Sequence, residues 1–196
     1  MEPVTTIVGR ALPLDRSDVD TDQIIPAEYL KRVERTGFGQ FLFDSWRKDP
    51  DFVLNRPEYA GATILIAGPN FGSGSSREHA VWALEDAGFK AVITPSFADI
   101  FRNNCHKIGL LPVELPGESV RALMDAVIDD PTTEITVDLD TQAVTAPAVE
   151  ERFEIDRHTR WRLLEGLDDI GLTLRHADEI SGFEETRASW LPATRG

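Results

Sequence analysis

The chain has 196 residues and a formal net charge of −14, a length that suits one domain with at most an appendage and a charge that argues against nucleic acid or anionic membranes as partners. Its single cysteine, Cys105, excludes an intrachain disulfide, and the chain alone cannot ligate a four-cysteine zinc ion or an iron–sulfur cluster. The acidic start and the absence of any apolar run near the ~20 residues of a membrane span lead to the expectation of a soluble, cytoplasmic protein.

In chain order, residues 5–12 read as a short strand and residues 15–22, rich in Asp, as a loop. Pro26 opens an expected short helix over 26–32. Residues 36–57 mix Phe38, Phe41, Phe43, Trp46 and Phe52 with Gly, Asp and Pro, giving a short helix at 41–46, a loop at 49–57 and either a partly packed arm or a contact surface. The middle of the chain alternates most clearly. Strand 63–67, a Gly/Ser loop, helix 78–87, strand 91–94, helix 97–107 and strand 111–114 form a βαβαβ series. Gly88 and Gly109 fall where helices end in a left-handed residue, and Ser96 is the expected N-cap of the second helix. A helix over 118–129 follows, then a hairpin of 134–139 with 143–145, a third strand at 152–155, and charged helical segments at 157–164 and 177–187.

The chemistry concentrates at Asn70-Phe71-Gly72-Ser73-Gly74-Ser75-Ser76-Arg77-Glu78-His79-Ala80, between an apolar strand and an amphipathic helix. Backbone N–H groups at a helix start lack intrahelical partners and lie at the positive end of the helix dipole. Such a junction is an anion cradle, here with hydroxyls and one guanidinium beside it. Gly72-x-Gly74-x-x-Arg77 departs from the dinucleotide fingerprint at its last glycine, and strand 91–94 ends in Thr94-Pro95 rather than in an acidic residue. Walker A and nucleophile-elbow patterns are absent. A plain helix-capping turn would leave Arg77 and the three hydroxyls without a purpose.

Other groups read more simply. Asp18, Asp20 and Asp22 have calcium-loop spacing, but Gln23 and Tyr29 stand where that loop needs Gly and Glu. Cys105 reads as a packing residue, and His106, His158 and His176 as surface residues.

Gly-x-Gly-Ser-Ser-Arg-Glu-His-Ala at 72–80, followed by Ser96-Phe97-Ala98-Asp99-Ile100-Phe101, resembles the swivelling domain of the aconitase superfamily. Segments 20–26, 51–55 and 169–174 narrow the resemblance to the small subunits of bacterial 3-isopropylmalate dehydratases, over about residues 8–183. The resemblance implies an α/β fold: a three-layer swivelling β/β/α domain over 1–155, with a C-terminal helical extension over 156–196 packed on it.

It also implies roles. Ser75 corresponds to the serine that, as alkoxide, removes a proton from the carbon next to a substrate carboxylate. Ser76 and Arg77 would bind the substrate, and Leu30 would face its isopropyl group. Asp22, Gly72, Gly74, Glu78 and His79 would shape and orient the loop, with Asp22 beside Arg77 or Ser75. Ser73 stands where many relatives have Cys. The implied substrate is a small dicarboxylate. The implied partner is a large subunit with a [4Fe–4S] cluster, since this chain offers no metal site of its own. The aromatic segment 38–52 and the C-terminal helices are expected to meet that partner. A related hydro-lyase subunit, acting on homoaconitate, citraconate or dimethylmaleate, and a non-enzymatic anion-binding module stay open as alternatives.

Overall fold

Strand β1 (Thr6–Leu14) joins two kinds of sheet. Its second half, from Ala11 to Leu14, pairs in parallel with β2 (Ile64–Ala67), whereas Thr6 to Arg10 pair antiparallel with β5 (Glu134–Asp138). The parallel side continues from β2 to β3 (Ala91–Thr94) and β4 (Leu111–Glu114). The antiparallel side continues from β5 to β6 (Ala143–Ala146) and β7 (Val149–Arg152). The seven-stranded order is β4-β3-β2-β1-β5-β6-β7. The computed structural model describes residues 1–31, 36–147, 149–188 and 190. Arg32, the end of the expected short helix, and residues 191–196 of the expected extension lie outside them.

Parallel strands covered on both faces take near-continuous apolar runs, and every residue of β2 and β3 is buried, while β3 and β4 end in the polar Thr94 and Glu114. Helices α3 (Glu78–Asp86) and α4 (Asp99–Ile108) cross between them, and α5 (Gly117–Asp129) packs across β1, β2, β3 and β7. The curl at β1 thus yields two β layers and a helical one, the β/β/α arrangement expected. Gly88 and Gly109 hold φ of 99° and 93°, as expected of residues that end helices.

Several elements differ from expectation. Residues 15–22 are not all loop: Asp20 caps a single helical turn, α1 (Thr21–Ile24), through a reciprocal pair with Gln23, and this Asp-x-x-Gln pattern is a capping box. The expected helix 41–46 is broken in two, a 3-10 turn at Gly39–Phe41 and α2 (Asp44–Arg47). Between them Phe43 takes a left-handed conformation, φ 52° and ψ 33°. A fully buried ring and an N–H bonded to the Ile24 carbonyl at 2.8 Å offset that cost of about 1–2 kcal/mol. The expected loop 49–57 contains the 3-10 turn Val53–Asn55, braced by Asn55 Nδ2 on the carbonyls of Arg47 and Asp49. Phe38, Leu42, Phe43 and Phe52 are buried, so these side chains pack into the core, while Gln40, Ser45 and residues 47–51 are exposed.

The last strand lies at Val149–Arg152, not at 152–155, because the turn at Pro147 lets Val149 pair at once with Ala146. Glu150 and Glu151 sit on an edge strand, where charge is tolerated and discourages further pairing. Among the C-terminal helices, α6 (Arg157–Leu164) buries Leu163 in the core and its Leu163 carbonyl accepts from the Val4 N–H at 2.9 Å. Helix α7 (Asp169–Leu174), capped by Asp168, is not legible from its β-branched and Gly content. Helix α8 (Ala177–Thr186) buries no residue. Among the described residues no helix is long and apolar enough to cross a membrane.

Candidate active site

The Gly/Ser loop leaves the end of β2 and is stitched on both sides. On one side, the N–H groups of Gly72 and Ser73 bond to the Val19 carbonyl at 2.8 and 3.2 Å, and Thr21 N–H bonds to the Ser73 carbonyl at 2.9 Å. On the other, Phe71 exchanges backbone bonds with Ser96 and Ala98, both 3.0 Å. Ser96 does not cap α4, which begins after Ala98 with no side-chain cap. Its hydroxyl, two residues before the N-cap position, instead accepts from the Asn70 N–H at 2.9 Å. Asn70 in turn donates to Asp18 at 2.8 Å. The three alternating aspartates therefore do three separate jobs: Asp18 anchors Asn70, Asp20 caps α1, and Asp22 pairs with Arg77.

Gly72 has φ 77°, and a Cβ there would stand 2.1 Å from the ring of Phe101. No side chain fits, so the loop lies directly on that ring. Beyond it the backbone turns outward, and Ser75 and Ser76 are exposed. The Ser75 carbonyl accepts from the buried Thr21 hydroxyl at 3.0 Å. Neither serine hydroxyl, nor the backbone N–H of Ser75, Ser76 or Arg77, has a partner among the described residues. Arg77 is the N-cap of α3 and makes no side-chain cap, so nothing blocks the start of that helix.

The Arg77 guanidinium is mostly buried and ion-paired with the exposed carboxylate of Asp22. A guanidinium has five N–H donors, so the pair orients the group and leaves donors for a second carboxylate. A cleft of about 270 Å³ opens here, with Gly72, Gly74, Ser75, Ser76, Arg77 and Thr21 on one side and residues 98–101 on the other.

Four expected site residues do not line the cleft: Asp22, which reaches it only through its ion pair with Arg77, and Leu30, Glu78 and His79. Leu30 is half-buried in a 3-10 turn (Ala27–Lys31), packed on the core, and does not line it. His79 packs between Phe38 and Trp82, at 5.2 and 4.6 Å between ring centres, and burial pulls its imidazole below the ordinary value. Glu78 opens α3, exposed and 3.9 Å from Lys107. Thr21, which the resemblance places beside the serine loop, does line the cleft, whereas the start of α4, residues 98–101, is not singled out as a wall by the sequence because it reaches the cleft from a later chain segment.

Of the remaining groups, Cys105 is fully buried and its thiol is pushed well up by that burial. Among the described residues no group of three or more His, Cys, Asp or Glu side chains is placed to hold a metal ion. With one cysteine in the sequence, and that one buried, the chain does not supply the set of thiolates an iron–sulfur cluster takes. His158 and His176 are exposed, as expected, but His106 is half-buried rather than a surface residue. Desolvation, with Arg102 and Arg162 adding to it, lowers its imidazole to about 4.

A curled mixed sheet with a Gly/Ser/Arg loop at the end of one of its parallel strands defines a protein of the aconitase C-terminal-domain class, and residues 1–118 match that domain. Residues 121–157 match the LeuD_N family, and residues 169–196 match the C-terminal domain of the 3-isopropylmalate dehydratase small subunit. The 3-isopropylmalate dehydratase small subunit of Rubrobacter xylanophilus is 64% identical over 192 residues, 98% of each chain. That of Acidothermus cellulolyticus is 66% identical over 195 residues, 100% of this chain and 99% of the other. A crystal structure of 3-isopropylmalate dehydratase from Methanocaldococcus jannaschii superposes with a TM-score of 0.68 at 29% identity, covering 90% of this chain and 99% of that one. The chain belongs to the family of 3-isopropylmalate dehydratase small subunits.

Proposed function

We propose that this chain contributes the base and the carboxylate-binding wall to an enzyme that isomerises 2-isopropylmalate to 3-isopropylmalate through 2-isopropylmaleate, in the cytoplasm and in leucine biosynthesis. The carrying observation is that Ser75 and Ser76, the N–H groups around them and Arg77 face one cleft, with the serine hydroxyls and those N–H groups unpartnered among the described residues. A serine hydroxyl is a weak base in water. It acts as one only where donors stabilise its oxyanion, and amide N–H groups at an open helix start together with Arg77 are such donors.

In this reading Arg77, steadied by Asp22, pairs with a substrate carboxylate through two N–H donors. That fixes the neighbouring carbon against Ser75, which removes its proton, and Ser76 donates to the charge that develops on the carboxylate. Gly72 and Gly74 give the loop its path, and Glu78 and His79 hold the first turn of α3. Hydroxide must also leave, and the residues here do not supply a Lewis acid for it. We assign that half of the chemistry to a large subunit bearing a [4Fe–4S] cluster. The swivelling domain, over 1–155, would present the loop, and the extension from 156 onward, packed on it, would help to dock the partner.

The test is anaerobic reconstitution with cluster-bearing large subunits, following isopropylmaleate absorbance. The complex should turn over 2-isopropylmalate while the isolated chain does not, and Ser75→Ala should lower kcat by at least ~100-fold. Unchanged turnover in that variant would sink the assignment of Ser75 and favour a passive anion-binding module. Preference for homoaconitate, citraconate or dimethylmaleate would move the chain to a related hydro-lyase.

A further inference from the structure

We propose that a second cleft, at the carboxyl end of β1, binds an aliphatic α-amino acid. This cleft has a volume of about 290 Å³ and shares no lining residue with the one beside Ser75. It is framed by the exit from β1, by segment 51–55 with its continuation to Tyr59, and by Ile128 of α5. Ligands of open α/β sheets settle outside the carboxyl ends of the strands. None of these residues has a part in the serine-base reading.

Four charged side chains line this cleft without neutralising one another. Arg16 lays its guanidinium over the Trp46 ring, 4.4 Å from its centre, and Arg56 gives its Nε–H to the Asp51 carbonyl at 3.2 Å. Neither has a carboxylate partner among the described residues. Asp49 accepts the Asp51 N–H at 3.0 Å, and neither aspartate has a cationic partner among those residues. Asp15, the third acid of the cleft, is already paired with Arg121 at 2.8 Å. Two cations and two anions thus stay apart, three of them steadied by a ring or by backbone. Tyr59 adds a neutral donor: it is 6% exposed, and its hydroxyl has no partner among the described residues. Buried polar groups are normally hydrogen-bonded, so a donor left free here is free for a ligand.

The rest of the lining is hydrocarbon. Leu14 and Phe52 contribute buried walls and Ile128 an exposed one. A ligand matched to this cleft carries a carboxylate for Arg16, Arg56 and Tyr59 and an ammonium for Asp49 and Asp51. It also carries an apolar branch, and an aliphatic α-amino acid joins all three in one small molecule. A simple anion would meet two uncompensated aspartates, and a simple amine two uncompensated arginines.

The experiment is calorimetric titration of the full-length chain with L-leucine. One leucine should bind per chain with a Kd of about 1 mM or tighter. The probes 4-methylpentanoate, 3-methylbutylamine and glycine each lack one feature: the ammonium, the carboxylate or the hydrocarbon. Each should bind about tenfold more weakly or worse. Arg16→Gln and Asp51→Asn should each weaken leucine by about the same factor and leave Tm within about 2 °C, since both side chains are exposed. Arg77→Gln should leave leucine binding unchanged. Four results would each overturn the proposal: no saturable heat with leucine, equal affinity for a singly charged analogue, unchanged affinity in both Arg16→Gln and Asp51→Asn, or loss of binding in Arg77→Gln, which would move the ligand to the serine cleft.

Discussion

Gly72 and Gly74 sit two residues apart with similar left-handed φ, 77° and 88°, yet their surroundings differ. A Cβ on Gly74 would come no closer than 3.5 Å to anything, whereas one on Gly72 would overlap Phe101. Gly74→Ala should therefore cost only the backbone strain, about 1 kcal/mol. Gly72→Ala adds overpacking and should cost about 3 kcal/mol in all, lowering Tm by roughly 10 °C in thermal denaturation. Equal Tm values for the two variants would contradict this packing. His106 gives a second prediction at this scale. Its folded pKa of about 4 lies below the ordinary 6.5, so the unfolded chain binds the extra proton first as pH falls. The stability this group contributes is fully present above pH 6.5 and is lost as pH falls toward 4. His106→Gln should flatten the decline of Tm across that window, and an unaltered slope would remove His106 as its source. Burial holds the value down first, Arg102 and Arg162 add to it, and Asp156 opposes them.

Among the elements, α1 is a single turn with a disproportionate role. It offers Thr21 N–H and hydroxyl to the serine loop, Asp22 to Arg77 and the Ile24 carbonyl to Phe43. Thr21→Val keeps the shape and deletes the bond to the Ser75 carbonyl. The expected cost is about 1 kcal/mol, together with faster amide hydrogen exchange within residues 73–77 and unchanged exchange in β3. The central elements are legible in the sequence because each is short-range: β3, β4 and α6 fall at the residues that apolar runs and charge patterns mark, and α3 ends within one residue of its expected bound. The elements that local patterns misplace depend on partners far away in sequence. Phe43 breaks a helix to bury its ring, Ser96 leaves a cap for Asn70, and β7 takes its register from Ala146.

For the whole molecule, burial and exposure separate the expected contact surfaces. Phe38, Phe43 and Phe52 of the aromatic segment pack into the core, whereas α7 and α8 leave Ile170, Leu174 and Phe183 at 65–70% exposure, with Trp190 at 81%. Under the proposed reading this C-terminal region docks the large subunit. The double variant Leu174→Glu with Phe183→Glu should then weaken complex formation at least tenfold by sedimentation while leaving the Tm of the isolated chain within about 2 °C, since neither side chain is buried in the chain itself. Intact assembly would place the docking surface elsewhere. Local patterning was enough to set the βαβαβ centre and the Gly/Ser junction after β2, because hydrophobic periodicity and the demands of a Gly/Ser turn act over a few residues. Which groups remain available at that junction follows from the folded chain alone. Distant partners occupy Asp18, Phe101 and, through Glu114, Arg102, a local capping box occupies Asp20, and the fold brings Thr21 beneath Ser75. What is left facing the cleft is a pair of free hydroxyls, an oriented guanidinium and one exposed isoleucine.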